Sequence, residues 1–428
     1  MGSIDPPNRQ FTVTIIGAGV GGLTLALGLI RNKVPVDIYE AAPDFKSTGF
    51  GISMGPAAHR ALTLIDPSIS KAYDALVTTH ADSPGYESFR RTWFELVWTT
   101  ADKCGEVMTN LKAKTLGQTS VHRGHFLETL IGCLPPGKVQ WGKSLTEMRE
   151  TAQGVSLRFE DGSSTVADVV VGCDGIHSRV RQHMLLGEPI RPQYSGMYAY
   201  RAVLDMATMI EAVGERRARV ATMYMGHGGY VVTYPIMRAK QVNVGLFKLS
   251  SGWEHDTWVR LASRDEMKRD FGHMGDAVRS IVQRIETPSQ WAVLDIPHMS
   301  TYTRNSITVL GDAAHASTPH QGAGAGQAIE DVHVLAELLG DARVLRREHV
   351  KAAFHAYDAI RRPRSQWVVS TSRDMGHMLS LSLGTVCPGE VELKHRLNER
   401  MALLWDLDIL GQADIARRVM LQHFSWIV

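Results

Sequence analysis

A glycine-rich turn between two apolar runs, Gly17-Ala18-Gly19-Val20-Gly21-Gly22, restricts the folding of this chain more than any other feature. Phe11 to Ile16 before it is a short β-branched run, and Leu23 to Ile30 after it has apolar spacing compatible with a buried helix. Val34 to Tyr39 reads as a second strand that ends at Glu40, 18 residues after Gly22. Strand, turn, helix, strand and acidic residue in that order form the fingerprint of a Rossmann-like dinucleotide site. Gly17 permits the turn, Gly19 lets the backbone approach a pyrophosphate, and Gly22 lets helix pack on strand. Glu40 would accept hydrogen bonds from a ribose diol. The motif alone leaves both FAD and NAD open.

Composition narrows the function classes. With 428 residues the chain has room for two or three structural units, and 44% hydrophobic with 21% charged residues is ordinary for a globular protein. A formal charge of +2 with no run of like charges offers no general attraction to nucleic acid or anionic membrane, so neither is expected as a partner. Cys104, Cys133, Cys173 and Cys387 are far apart and form no CxxC pair, and no HExxH or similar His/carboxylate spacing occurs. No metal is therefore expected, and a reducing, cytoplasmic location is the default. Residues 12 to 30 are uncharged, but the glycine turn interrupts them, and the arm before them is not a basic signal region; no transmembrane segment is expected.

Two further stretches have the same strand-turn-helix form. Asp168 to Arg181 (DVVVGCDGIHSRVR) is a buried-strand run followed by Asp174-Gly175, with Ser178 and Arg181 at helical spacing. On their own, these residues can be read as a turn and a helix cap. Ser306 to Leu310 is a strand leading through Gly311-Asp312-Ala313-Ala314-His315 and Pro319 into Gly322-Ala323-Gly324-Ala325-Gly326, then a helix striped with Ala328, Val332, Leu335 and Leu339. A glycine loop feeding a helix N-terminus presents backbone N–H groups to an anion.

The patterns DGxxSxxR and GDAAHxxxPxxGxG resemble the second and third signatures of the class A FAD-dependent aromatic hydroxylases, the family of para-hydroxybenzoate and salicylate hydroxylases. HQGAGAGQAIED looks most like the salicylate branch, and it departs from the commoner GQGANQ form at Ala323 and Gly326. The resemblance implies an α/β fold with a Rossmann-like FAD-binding domain (10–190 and 296–346), an inserted, mainly antiparallel β-sheet substrate domain (191–295) and a helical C-terminal region (347–428). It also implies FAD as cofactor, NADPH or NADH as a transient co-substrate, and O2. Asp312 would hold the ribityl chain, the loop bearing Gly322, Gly324 and Ala325 the flavin ring, and Arg123 and Asp174 would also contact the cofactor. His315 is read as part of the flavin-loop architecture.

Between the signatures, Met197–Met206, Ala218–Met225, Gly229–Ile236 and Gln241–Leu249 read as consecutive strands, with His227-Gly228-Gly229 turning between the second and third. Period-two alternation places Arg201 with Met197, Ala199 and Val203, opposite Tyr198 and Tyr200, and puts Tyr230, Val232 and Tyr234 on one face. An arginine among apolar strand neighbours is costly unless it meets an anion, so Arg201 is the candidate clamp for a phenolate or carboxylate substrate. Tyr234, or less directly Tyr230, would orient the ring. The C-terminal region reads as helical and interrupted at Pro363, and it covers the flavin domain or forms a dimer face; monomer and homodimer both remain open.

As the resemblance has it, such a chain hydroxylates a small phenolic substrate through a C4a-hydroperoxyflavin. The segments GMYAYRAVLD and GGYVVTYPI resemble the fungal enzymes that dearomatise methylated resorcinol-type polyketides. Decarboxylating salicylate-type hydroxylation, simple ortho-hydroxylation, a flavin-dependent reductase or halogenase, and a non-catalytic binding protein on the same fold stand as alternatives.

Overall fold

A computed structural model describes residues 9–44, 51–186, 190–382 and 389–424, so Cys387 lies outside the described residues. One sheet runs, edge to edge, Thr303–Arg304, Ile307–Val309, Val169–Gly172, Val13–Ile16, Val36–Tyr39 and Val139–Gln140. All neighbours are parallel except the edge hairpin Thr303–Arg304/Ile307–Val309. Val13–Ile16 is completely buried because helices cover both faces of the sheet, which is why its sequence is an apolar run without alternation. Helix Val20–Arg31 follows the glycine turn, as expected. At Gly28 an added Cβ would stand 3.1 Å from Ile65 and 3.2 Å from Ala336, so a glycine lets helices Val20–Arg31, Pro56–Ile65 and Gly324–Gly340 converge.

A second sheet has eight strands in the order Val259–Leu261, Ser289–Asp295, Gln193–Asp205, Gln241–Leu249, Gly229–Ile236, Thr222–Gly226, Thr92–Trp98 and Val107–Lys112. It is wider than the 191–295 stretch in which it was expected, because its last two strands come from residues 92–112. Thr92–Trp98 (TWFELVW) is buried at every position and carries Glu95, so neither alternation nor polarity marks it as a strand. Glu95 is tolerated there because Arg216 and Arg217 approach its carboxylate at 2.5 and 3.4 Å. The strand expected over Ala218–Met225 is shorter than its sequence reading, since Glu215–Arg219 is helical and pairing begins at Thr222.

The two faces of this sheet have separate fates. Tyr200, Tyr224, Val231, Val244 and Leu246 pack against helices Met206–Val213, Arg264–Phe271 and Asp276–Arg284. Met197, Ala199, Met223, Tyr230, Val232 and Phe247 face the other way, in one cluster with Ala323 of the third signature and Met375 and Leu397 of the C-terminal helices. That C-terminal region is helical, but Pro363 does not interrupt it: one helix of 33 residues runs Arg347–Leu379. Pro363 sits on the exposed side while Arg361 and Ser365 beside it are buried, so tertiary packing carries the helix through the missing N–H. Among the described residues no helix is long and apolar enough to cross a membrane.

Helix Gly324–Gly340 buries His333, whose ring nitrogens have no hydrogen-bond partner among the described residues. Burial pulls its pKa down to about 4, and that of buried His320 to about 3. Both values lie below the ordinary one of about 6.5, so between them the unfolded chain binds protons that the folded chain refuses. Stability is therefore whole above about pH 6.5 and drains as pH falls toward 4, by roughly 3 kcal/mol for His333 alone. We expect thermal unfolding followed from pH 7 to pH 4 to show this loss, and His333→Leu to remove its own share of the slope. An unchanged slope in that variant would contradict the assignment.

Candidate active site

The three glycine or aspartate turns converge. Gly17 has φ +104°, and a Cβ there would stand 2.5 Å from the carbonyl oxygen of Cys173, so the first turn lies directly on the second. A Cβ at Gly22 would meet the Gly17 carbonyl at 2.0 Å, whereas at Gly19 it would meet nothing within 4 Å. The turn is thus closed on its protein side and open where a phosphate would approach. Glu40 lies alongside it: Oε2 accepts from the Ala18 N–H at 2.6 Å and Oε1 from that of Ala42 at 2.9 Å.

The second signature is committed to holding the turns together. Asp174 Oδ1 accepts from the Ser178 hydroxyl at 2.6 Å, and Oδ2 from the N–H groups of Arg179 and Val180 at 2.7 and 3.1 Å. The Asp174 carboxylate, expected to contact the cofactor, caps its own helix. Arg181 is fully buried, and donates to the carbonyls of Ala313 at 2.9 Å and Ile176 at 2.6 Å, which ties the second signature to the third.

In the third signature, Asp312 is exposed, yet surrounding protein raises the pKa of its carboxyl, as happens to a side chain lining a deep cleft. Arg123, exposed at the start of helix Arg123–Gly132, and His315 oppose that rise electrostatically, which places both near Asp312. Helix Gly324–Gly340 begins with Gly324 and Ala325, and the Gly324 side-chain position is 3.9 Å from Asp312 Oδ1. Gly322 supplies the left-handed turn before it, at φ +62°. Behind this loop Asp331 accepts from the Gly311 N–H at 3.0 Å and contacts His315 Nε2 at 2.5 Å, with Arg361 Nε on its other oxygen at 2.8 Å. His315 is thus bonded away from the cleft.

On the sheet face above, Arg201, Gly245, Val232 and Ser289 occupy one cross-strand row. Arg201 lies with Cζ 4.9 Å from the centroid of Trp291, and burial lowers its pKa while Tyr234 counters that effect. Tyr198 and Tyr200 are on the opposite face, where both hydroxyls donate to Asp270. Tyr234 donates to the Gly51 carbonyl at 2.9 Å; its pKa is pushed up to about 12 by burial, with Arg201 pulling it back. Phe94 packs edge-on against it at 6.2 Å.

Tyr230 does not share that environment. It is stacked on Phe247 at 4.8 Å, and its hydroxyl is 2.7 Å from His320 Nδ1. Burial raises the tyrosine's pKa and lowers the histidine's, so a neutral phenol is hydrogen-bonded to a neutral imidazole. His320 was visible in the sequence only as a neighbour of the third signature. Its ring fits because position 376 is glycine, where an added Cβ would be 2.6 Å from His320 Cδ2. Gly376→Ala should displace the ring, break the bond to Tyr230 and lower kcat/KM about tenfold while FAD content is kept, an overpacking cost of about 1–3 kcal/mol. Unaltered kinetics would show that His320 tolerates the methyl group.

Trp405 was also missed, because nothing in the C-terminal sequence points to the site. Arg60 and Arg364 cap its helix by donating to the carbonyls of residues 403–407, and its indole reaches a cavity lined by Trp93, Gln321, Gly322, Ala323 and Gly326.

The residues present fit FAD: a pyrophosphate turn open at Gly19, an acid at the ribose position, an aspartate in a cleft, and a glycine loop at a helix N-terminus. A family model described as FAD binding domain matches residues 112–372. The 6-methylsalicylate 1-monooxygenase of Aspergillus terreus is 38% identical over 95% of this chain and 91% of its own. A salicylate hydroxylase of Pseudomonas putida is 35% identical over 93% and 92%. A solved salicylate hydroxylase substrate complex superposes with TM-score 0.85 at 32% identity, covering 95% of this chain and 98% of the other.

The chain belongs to the class A flavoprotein hydroxylases. This hydroxylase is an FAD-dependent aromatic monooxygenase with the Rossmann-type fold of that family, and it consumes NAD(P)H and O2. The three turns meet one another, and the sheet face bearing Met197, Tyr230 and Phe247 shares an apolar cluster with Ala323 of the third.

Proposed function

We propose that the hydroxylase acts on a small phenol held as its phenolate against Arg201, and that it hydroxylates a methyl-bearing ring carbon, giving a dearomatised dienone. The observation that carries this reading is the placement of a half-buried cation, Arg201, beside Tyr234 on a largely apolar sheet face that packs against Ala323 of the third signature. FAD, once reduced by NAD(P)H, supplies activated oxygen, one atom of which enters the ring while the other leaves as water. A phenolate is a far better carbon nucleophile than a phenol, and an arginine in contact favours it by lowering the phenol's pKa by about 1 to 3 units. Tyr234 orients the ring, and its raised pKa keeps it a neutral donor at neutral pH. Met197, Met223, Val232 and Phe247 exclude water from the reacting face.

Dearomatisation is supported by the likeness of the strand pair around Arg201 and Tyr234 to the fungal dearomatising enzymes. Decarboxylating hydroxylation is the second reading, favoured by the two salicylate-oxidising relatives. NAD(P)H oxidation with methylated resorcylic aldehydes and ketones, salicylate and para-hydroxybenzoate, followed by mass spectrometry, separates them. A product heavier by one oxygen with its methyl retained and its aromatic absorbance lost supports the first. Loss of CO2 supports the second, and no stimulation by any phenol overturns both. We place the enzyme in the cytoplasm, where NAD(P)H is supplied and where free Cys104, Cys133 and Cys173 would stay reduced.

A further inference from the structure

We propose that Trp291 is a positioning residue whose indole face holds the Arg201 guanidinium over the substrate side of the sheet without cancelling its charge; this rests on the reading of Arg201 as the phenolate clamp. Trp291 belongs to the neighbouring strand Ser289–Asp295, where Ala199 pairs with Trp291 and Arg201 with Ser289. Cross-strand partners share a face, so the indole and the arginine stand diagonally on the substrate side. Arg201 Cζ lies 4.9 Å from the ring centroid, within cation–π range. The indole is fixed in turn: its Nε1 donates to Ser289 Oγ at 2.9 Å, and Ser289 Oγ reaches the Arg201 carbonyl at 3.4 Å.

The surroundings of Arg201 are unequal on its two sides. Its partner on the inner strand is Gly245, which contributes no side chain, while the outer side carries the indole shelf. Val232 and Phe247 fill the space above Gly245, each 3.1 Å from where a Cβ would stand, so apolar side chains pack the inner side and the indole the outer. A carboxylate in the place of Trp291 would hold the guanidinium equally well but would neutralise it. An aromatic face attracts a cation through its quadrupole and leaves the formal charge for an incoming anion. Arginine also loses rotameric freedom when a ligand pins it, and the shelf meets that cost before the substrate arrives.

The test compares Trp291→Leu, Trp291→Phe and Arg201→Gln in the FAD-loaded enzyme, using as probe whichever of salicylate or 2,4-dihydroxy-6-methylbenzaldehyde most stimulates NAD(P)H oxidation. Trp291→Leu should raise KM about tenfold with a smaller change in kcat, and should move the acid limb of the kcat/KM profile to higher pH. Trp291→Phe, which keeps a π face, should recover most of that loss. FAD content should be unaffected in all three. A Leu variant indistinguishable from the parent, or Leu and Phe variants equally impaired, would overturn the positioning role while an impaired Arg201→Gln upheld the clamp. An unimpaired Arg201→Gln would overturn the clamp itself. A thermal double-mutant cycle between Arg201→Met and Trp291→Leu needs no substrate, and a coupling indistinguishable from zero would also overturn the proposal.

Discussion

Arg201→Gln should retain FAD and lose between about one hundred- and one thousand-fold in kcat/KM, the size expected when one partner of a desolvated charge pair is removed. The residues assigned to FAD lie on the three turns and on Glu40 and Arg123, whereas Arg201 stands in a row with Gly245, Val232 and Ser289 on the second sheet. Flavin absorbance per mole of protein is therefore the internal control. The pH dependence has a definite sign. A nearby cation favours phenolate and lowers the phenol's pKa, so its removal shifts the acid limb of the activity profile upward by about 1 to 3 units. Alkaline assay should then recover part of the lost rate. A variant with parental kcat/KM, or one that loses flavin, would show that Arg201 does something else.

Arg361→Met should be the most destabilising single change outside the hydrophobic core. Arg361 is fully buried and donates to Asp331 at 2.8 Å, Glu330 at 2.9 Å, and the side-chain oxygens of Gln327 at 2.9 Å and Gln412 at 3.0 Å. Burial by itself would make Asp331 a weaker acid, but His315 and Arg361 hold its pKa down at about 2. Removing the arginine leaves two buried carboxylates short of a cation, at a cost of about 3–5 kcal/mol. A fall of roughly 3–6 °C in Tm follows from that cost. Because Asp331 also holds the Gly311 N–H and His315, weaker FAD retention should accompany it. Adding Glu330→Gln and Asp331→Asn to Arg361→Met should restore part of the stability, since neutral groups no longer demand the cation. A single variant as stable as the parent would mean that water replaces the guanidinium at little cost.

How much of this was legible beforehand depended on whether the constraint is local. Glycine positions are dictated by the backbone within a few residues: Gly17 by its positive φ, and Gly22 by the Gly17 carbonyl 2.0 Å from where a Cβ would be. Such constraints fall at fixed spacings, so the three signatures, the dinucleotide turn and the placement of Glu40 could be read directly. Period-two alternation likewise set Arg201 apart from Tyr198 and Tyr200, and the structure keeps them on opposite faces. The same alternation placed Tyr230 and Tyr234 together, yet their hydroxyls have different partners, His320 and the Gly51 carbonyl, which period alone does not specify.

The sequence by itself therefore determined the nucleotide fold and the face that Arg201 presents, because each follows from backbone geometry or side-chain period over short stretches of chain; FAD rather than NAD came from the resemblance of its signatures to a known family. Only the tertiary structure decided the rest. It drew strands Thr92–Trp98 and Val107–Lys112 into the substrate sheet and brought Trp405 to the flavin loop. It carried a helix through Pro363, set Gly376 beneath His320 and laid Trp291 under Arg201. The physical reason is common to all of these: each depends on groups far apart in sequence meeting in a packed interior, and such meetings impose no spacing on the chain that makes them.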